Sequence, residues 1–162
     1  MEKLKTKILN CLTENAKYTV ADLASMTGDS QENVALAIKE LEDSNTILKY
    51  SVVVDWDKVG EETVNAIISV KVKPQKLKGF DDLAEKLCAF KEVQSLYLIS
   101  GGFDLAIVVK AKSLGEVARF VSESLSAIDG VVACDTHFIL KKYKVEGQST
   151  FDLKGSEHLI VL

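Results

Sequence analysis

The chain has 162 residues, 47% hydrophobic and 27% charged, the proportions of a globular protein rather than a disordered one, and a length that suits one ordinary domain or two small ones. It carries 20 basic against 24 acidic residues, and Arg119 is the only arginine; this excludes a strongly basic nucleic-acid surface but leaves weak or locally focused DNA binding open. No apolar run is long enough to span a bilayer and no apolar leader opens the sequence, so a soluble, cytoplasmic protein with no membrane partner is expected.

Helical periodicity dominates residues 1–46. Leu4, Ile8, Cys11 and Leu12 fall on one face. Thr19 is a good N-cap for a second helix with Val20, Leu23 and Ala24 inward, and Gly28 suits a left-handed C-terminal cap. Asp29 or Ser30 caps a third helix, whose inner face is Val34, Ile38 and Leu41. Three short helices with a tight glycine turn between the last two describe a helix-turn-helix. Residues 47–54 are β-branched and aromatic and predict a strand or small wing. Residues 55–62 are polar, interrupted by Gly60, and predict a linker.

From Thr63 the apolar period changes to two. Val64, Ala66, Ile68, Val70 and Val72 alternate with wetter positions, and Pro74 closes the strand. Phe80, Leu83, Leu87 and Phe90 give a helix face. Strands follow over 93–100 and 105–111, joined by a turn through Gly101 and Gly102. Leu114, Val117, Val121, Leu125 and Ile128 give a second helix, and the last strand runs over 131–142. The order βαββαβ predicts an α+β fold: a winged helix-turn-helix over 1–54, then a ferredoxin-like domain over 63–145, with a C-terminal tail over 146–162. The sheet face without helices is expected to be rich in Val, Ile and Leu, which calls for a second copy of the chain.

The three cysteines, Cys11, Cys88 and Cys134, lie far apart without C-x-x-C spacing, and only His137 and His158 are imidazoles. They read as buried, reduced thiols, with no metal site and no cofactor. The acidic pairs Asp81–Asp82 and Glu61–Glu62 have no base or nucleophile in their sequence neighbourhood, so no enzyme is expected. The apolar terminus from His158 to Leu162 is expected to pack on a sheet.

Three stretches carry a resemblance. The first runs through Ala21-Asp22-Leu23-Ala24, Val34 to Glu42, and Asn45 to Tyr50; the second is Asp55 to Gly60; the third is Ser100-Gly101-Gly102-Phe103-Asp104. In order and spacing the chain resembles the Lrp/AsnC (feast/famine) transcription regulators over about residues 1–145. The resemblance implies an amino-acid-responsive regulator that binds DNA as a homo-oligomer, a dimer or a higher even assembly. One departure bears on DNA binding. Ala37 stands where the family commonly has an arginine, and Lys39 alone opposes Glu32, Glu40, Glu42 and Asp43, a net of three negative charges over residues 30–43. Weak DNA binding is therefore expected, supported by Lys3, Lys5, Lys7, Lys17 and Lys49. The alternative is a ligand-sensing oligomer that has lost sequence-specific DNA binding.

The candidate DNA-binding residues are Ser30, Gln31, Asn33, Lys39 and Lys49. Gln and Asn near the start of a recognition helix can each take an adenine bidentately. The candidate effector-binding residues are Ser100, Gly101, Gly102, Asp104 and Thr136. Two glycines let backbone N–H groups approach a carboxylate, and Asp104 offers a partner for an α-ammonium, the two ends of a free α-amino acid. A plain hairpin turn is the competing reading. Thr136 enters only through the resemblance, as a wall residue from a neighbouring chain.

Overall fold

The structure is a computed structural model that describes residues 2–61, 63–73 and 80–151. The chain divides into two compact units, one from Met1 to Val54 and one from Asp55 onward.

The first unit packs three helices, α1 (Glu2–Glu14), α2 (Val20–Thr27) and α3 (Gln31–Asp43). Its core is Leu4, Ile8, Leu23, Ala24, Val34, Ala37 and Leu41. Each helix starts and stops for a local reason. A reciprocal capping box opens α2: the Thr19 hydroxyl accepts the Asp22 N–H, and the Asp22 carboxylate accepts the Thr19 N–H at 2.8 Å. That carboxylate sits below the usual aspartate range, chiefly because the Thr19 side chain donates to it. Gly28 ends α2 at φ 74°, a left-handed conformation that side chains disfavour. Ser30, rather than Asp29, is the N-cap of α3.

The second unit opens with the helical turn α4 (Trp56–Val59), inside the segment expected as a linker. The Lys110 ammonium lies 4.5 Å above the Trp56 ring. Four antiparallel strands follow: β1 (Val64–Val72), β2 (Val93–Leu98), β3 (Leu105–Ala111) and β4 (Val131–Phe138), ordered β2-β3-β1-β4. Helices α5 (Asp81–Cys88) and α6 (Leu114–Arg119) cross between them. Alternate residues Ala66, Ile68, Val70, Leu105, Ile107 and Val109 point to the helices and are buried against Leu87, Val117, Phe120 and Leu125. This is the split-βαβ, ferredoxin-like arrangement.

Several expectations are corrected. Residues 47–54 form no strand. Their β-branched run has no ladder partner within the described chain, and strand propensity is realised only where such partners exist. The segment instead folds back on α3: the Ile47 N–H donates to the Leu41 carbonyl at 3.0 Å and the Tyr50 hydroxyl to Glu42 at 2.8 Å. The helix after β3 does not keep one period. Past Arg119 it widens into a π-helical segment, Phe120–Leu125, which shifts the register by a residue. Phe120 is thereby buried edge-on against Phe90, with centroids 5.4 Å apart, while Leu114 stays 58% exposed. The sheet face away from the helices is mixed rather than rich in Val, Ile and Leu. It carries Ile67, Val108 and Tyr97 among Ser69, Lys71, Asp135 and His137. Strand β4 ends at Phe138, short of position 142. A further hairpin, β5 (Lys144–Val145) and β6 (Gln148–Ser149), turns on Glu146 and Gly147, both at positive φ. Cys88 is exposed and Cys11 and Cys134 are only half-buried, so the reading of three buried thiols is corrected. Pro74, Glu62 and the apolar terminus after Phe151 lie outside the described residues.

Candidate DNA-binding and effector sites

In the first unit α3 is the second helix of the helix-turn-helix. Its candidate residues divide into two sets. Ser30 and Asn33 are used to build the helix start: the Ser30 hydroxyl accepts the Asn33 N–H, and the Asn33 side-chain amide donates to Asp29 at 2.7 Å. The Asn33 amide first, and the Ser30 N–H, which also donates to Asp29, second, hold the Asp29 carboxyl below its ordinary range. Gln31, Lys39 and Lys49 remain exposed and can reach outward.

The charge on this helix is arranged more favourably than its net value implies. Glu40 pairs with Lys5 at 2.9 Å, and the Glu42 carboxylate receives the Tyr50 hydroxyl. Two of the four acids are thus engaged within the unit. The pairing also commits Lys5, while Lys7 donates to the Thr27 carbonyl at 3.1 Å, so two of the five expected supporting cations serve the fold. Ala37 is fully buried in the core, so the missing arginine there is not missing from the outward surface. The other two acids, Glu32 and Asp43, are exposed with Lys39.

In the second unit the loop between β2 and β3 sits at the Val70–Val72 end of β1. Ser100, Gly101 and Gly102 are exposed, and a side chain added at either glycine would meet nothing within 4 Å, so a ligand can approach their backbone closely. Asp104 is turned the other way. One carboxylate oxygen accepts the Val72 N–H at 2.9 Å and the other the Lys71 ammonium at 3.2 Å. The Val72 N–H is the main reason this carboxyl lies below its usual range, with Lys71 adding to it. These bonds sit at the irregularity in the β1–β4 register between Lys71 and Val72. Asp104 therefore fixes the loop to β1, where the sequence suggested a partner for a ligand's ammonium group. Thr136 lies in β4 opposite Ile68, on the helix side of the sheet, so it does not share a face with Lys71.

A separate open cleft of about 690 Å³ lies at the far end of β3, where Lys91, Lys112 and Arg119 are interspersed with Glu92, Glu116 and Glu123. Its charges balance, and the sequence reading did not anticipate it. Tyr50 and Lys71, which bind Glu42 and Asp104, were missed as well.

The family model for the Lrp/AsnC ligand-binding domain matches residues 65–149, and that for a winged helix-turn-helix DNA-binding domain matches residues 1–47. The chain belongs to the Lrp/AsnC family of transcriptional regulators. The regulator is 46% identical over 159 residues to the HTH-type transcriptional regulator YugG of Bacillus subtilis, spanning 98% of this chain and 95% of that protein. It is 32% identical over 137 residues to LrpA of Pyrococcus abyssi, spanning 85% and 94%. Among solved structures its fold is similar to a Neisseria meningitidis transcriptional regulator in complex with L-Met, with TM-score 0.69 and 24% identity over 96% of this chain and 98% of that one. It is also similar to Escherichia coli AsnC, with TM-score 0.66 and 21% identity over 90% and 95%. The family consists of DNA-binding regulators, not enzymes. Among the described residues, no helix is long and apolar enough to cross a membrane.

Proposed function

We propose that the regulator is amino-acid-responsive: its second unit binds a free α-amino acid, and the bound ligand alters assembly or DNA affinity. The observation that carries this reading is the exposed Gly101–Gly102 backbone, held in place by the Asp104 bonds to β1. Amide donors free of side chains suit a carboxylate. Ser100 adds a hydroxyl beside them, and Asp104 acts by positioning the loop. The L-Met complex of the Neisseria regulator supports the ligand class. Thr136 contributes from a neighbouring copy if the ligand lies between chains.

The regulator works as an even-numbered homo-oligomer in the cytoplasm. One short recognition helix reads too few bases to be selective, and two-fold symmetry doubles the site. Gln31, Lys39 and Lys49 meet the DNA, while Ser30 and Asn33 set the start of the helix that presents them.

A thermal-shift screen over the twenty amino acids tests this reading, since a ligand that binds only the native state raises its melting temperature. One or a few amino acids should raise the melting of the second unit, and Gly102→Val should abolish the response. No shift with any amino acid, together with a monomer in light scattering, contradicts it.

A further inference from the structure

The outward face of α3 is unusual for a helix that must grip a polyanion. The helix buries Val34, Ala37 and Leu41, with Ile38 beside them. At about 100° per residue, the opposite direction falls on Glu32, Leu36, Lys39 and Asp43. Leu36 stands at the middle of that face and is 48% exposed, and its neighbour Ala35 is exposed too. This apolar step is half open to solvent. Lys39 is the only cation on the helix, and no guanidinium is present to take the two acceptors of a guanine. Thymine is the base that presents an apolar group, its C5-methyl, in the major groove. Gln31, exposed in the first turn, has the amide an adenine edge requires.

We infer that Leu36 is a specificity-determining residue that enters the major groove and packs on thymine methyl groups, so that the regulator selects A·T-containing half-sites by apolar contact. This inference rests on the DNA-binding role of the first unit. A thymine methyl buried against a leucine gains roughly what one CH₂ gains on leaving water, about fourfold in affinity for each methyl. The apolar contribution adds no counterion release, so it persists as salt rises while the small cationic contribution fades.

The test uses the full chain and a duplex recovered by repeated selection from a random-sequence pool. Replacing single thymines by deoxyuridine removes only the methyl and leaves the hydrogen-bonding edge intact. Fluorescence anisotropy should show about a fourfold loss at one or two thymines per half-site. Leu36→Ala should bind the thymine duplex more weakly and be indifferent to uridine at those positions. Leu36→Met should keep the sensitivity. Alanine is a strong helix former and the site is half exposed, so the melting temperature of the first unit should hold. If uridine is tolerated everywhere by the unaltered protein, or Leu36→Ala keeps the same sensitivity, the inference is overturned while the DNA-binding role stands. If the pool yields no preferred duplex, both are overturned. A Leu36→Ala variant that binds DNA normally but changes oligomeric state assigns the leucine to a protein contact and overturns the inference.

Discussion

The two units solve the problem of a small fold differently. The first is held by local devices: a capping box at Thr19, a left-handed glycine at Gly28, an N-cap at Ser30 and a core of seven buried apolar side chains among the described residues. The second is held by partners far apart in sequence. Ile68 meets Ile107 and Thr136 across the ladders, and Asp104 reaches back to Val72. Local devices make a unit readable from sequence and leave it with little reserve, because a short chain buries a small fraction of its surface. Long-range ladders give a larger core whose details depend on register.

Core truncation should separate the units most sharply. Leu23→Ala removes a fully buried side chain and should cost about 2–5 kcal/mol. At roughly 0.1 kcal/mol per residue, that approaches the whole stability of the unit ending at Val54. DNA binding should vanish while the second unit still melts cooperatively in calorimetry. Ile107→Ala, with a similar local cost, should lower the melting of the second unit without abolishing its fold. Should Leu23→Ala instead drag both transitions down together, the units are not independent.

A smaller effect is expected at two glycines with nearly the same backbone. Gly28 and Gly60 sit at φ 74° and 75° with open space around them, so alanine meets no clash and only the left-handed strain, about 1–2 kcal/mol. Gly28→Ala should lower the first transition and Gly60→Ala the second, because Trp56 packs under Lys110. A Gly60→Ala variant that shifts the first transition would move the boundary.

Thr19→Ala should cost the first unit about 1 kcal/mol, the usual value of a lost N-cap. Guanidinium denaturation of the two transitions reads it directly, and an unchanged first midpoint would reject the capping box as a support.

The smallest change is in pH response. The Asp104 carboxyl is held low in the folded state, so protonation favours unfolding. Its contribution is fully present above the ordinary aspartate range and is lost as pH falls through the lower folded value. Asp104→Asn should flatten that acid limb in the second unit alone. At neutral pH it should loosen the ligand loop without unfolding the sheet. An acid limb identical to that of the unaltered chain would show that the Val72 and Lys71 bonds carry no weight.

The helix starts and stops were legible because their causes lie within a few residues, as at Thr19 and Gly28. So were the inward positions of β1, Ala66, Ile68, Val70 and Val72, whereas β3 is a continuous apolar run from Leu105 to Val109 whose inward side only the ladder decides. What could not be read was set by distant or competing contacts. The pairing of Phe120 with Phe90 favours the wide turn that breaks the 3.6 period after Arg119. The Tyr50 bond to Glu42 takes the wing segment out of the strand that its β-branched run suggested. The turn at Glu146 and Gly147, both at positive φ, lies inside the segment expected as a tail, and Glu-Gly is not among the strong hairpin dipeptides. At the candidate sites, Gln31, Lys39 and the two loop glycines are exposed. The direction of Asp104 was set by a backbone N–H 32 residues away, which no local pattern reveals.

The division of labour between the units is tested most directly by fluorescence anisotropy on a labelled duplex from upstream of the regulator's own coding sequence. A scrambled duplex and a fragment beginning at Asp55 serve as controls. The full chain should prefer the upstream duplex, and one amino acid should move the binding midpoint. The fragment should bind that amino acid and ignore DNA. Equal affinity of the full chain for both duplexes, with no response to any of the twenty amino acids, would contradict a first unit that reads DNA under the control of a second that senses ligand.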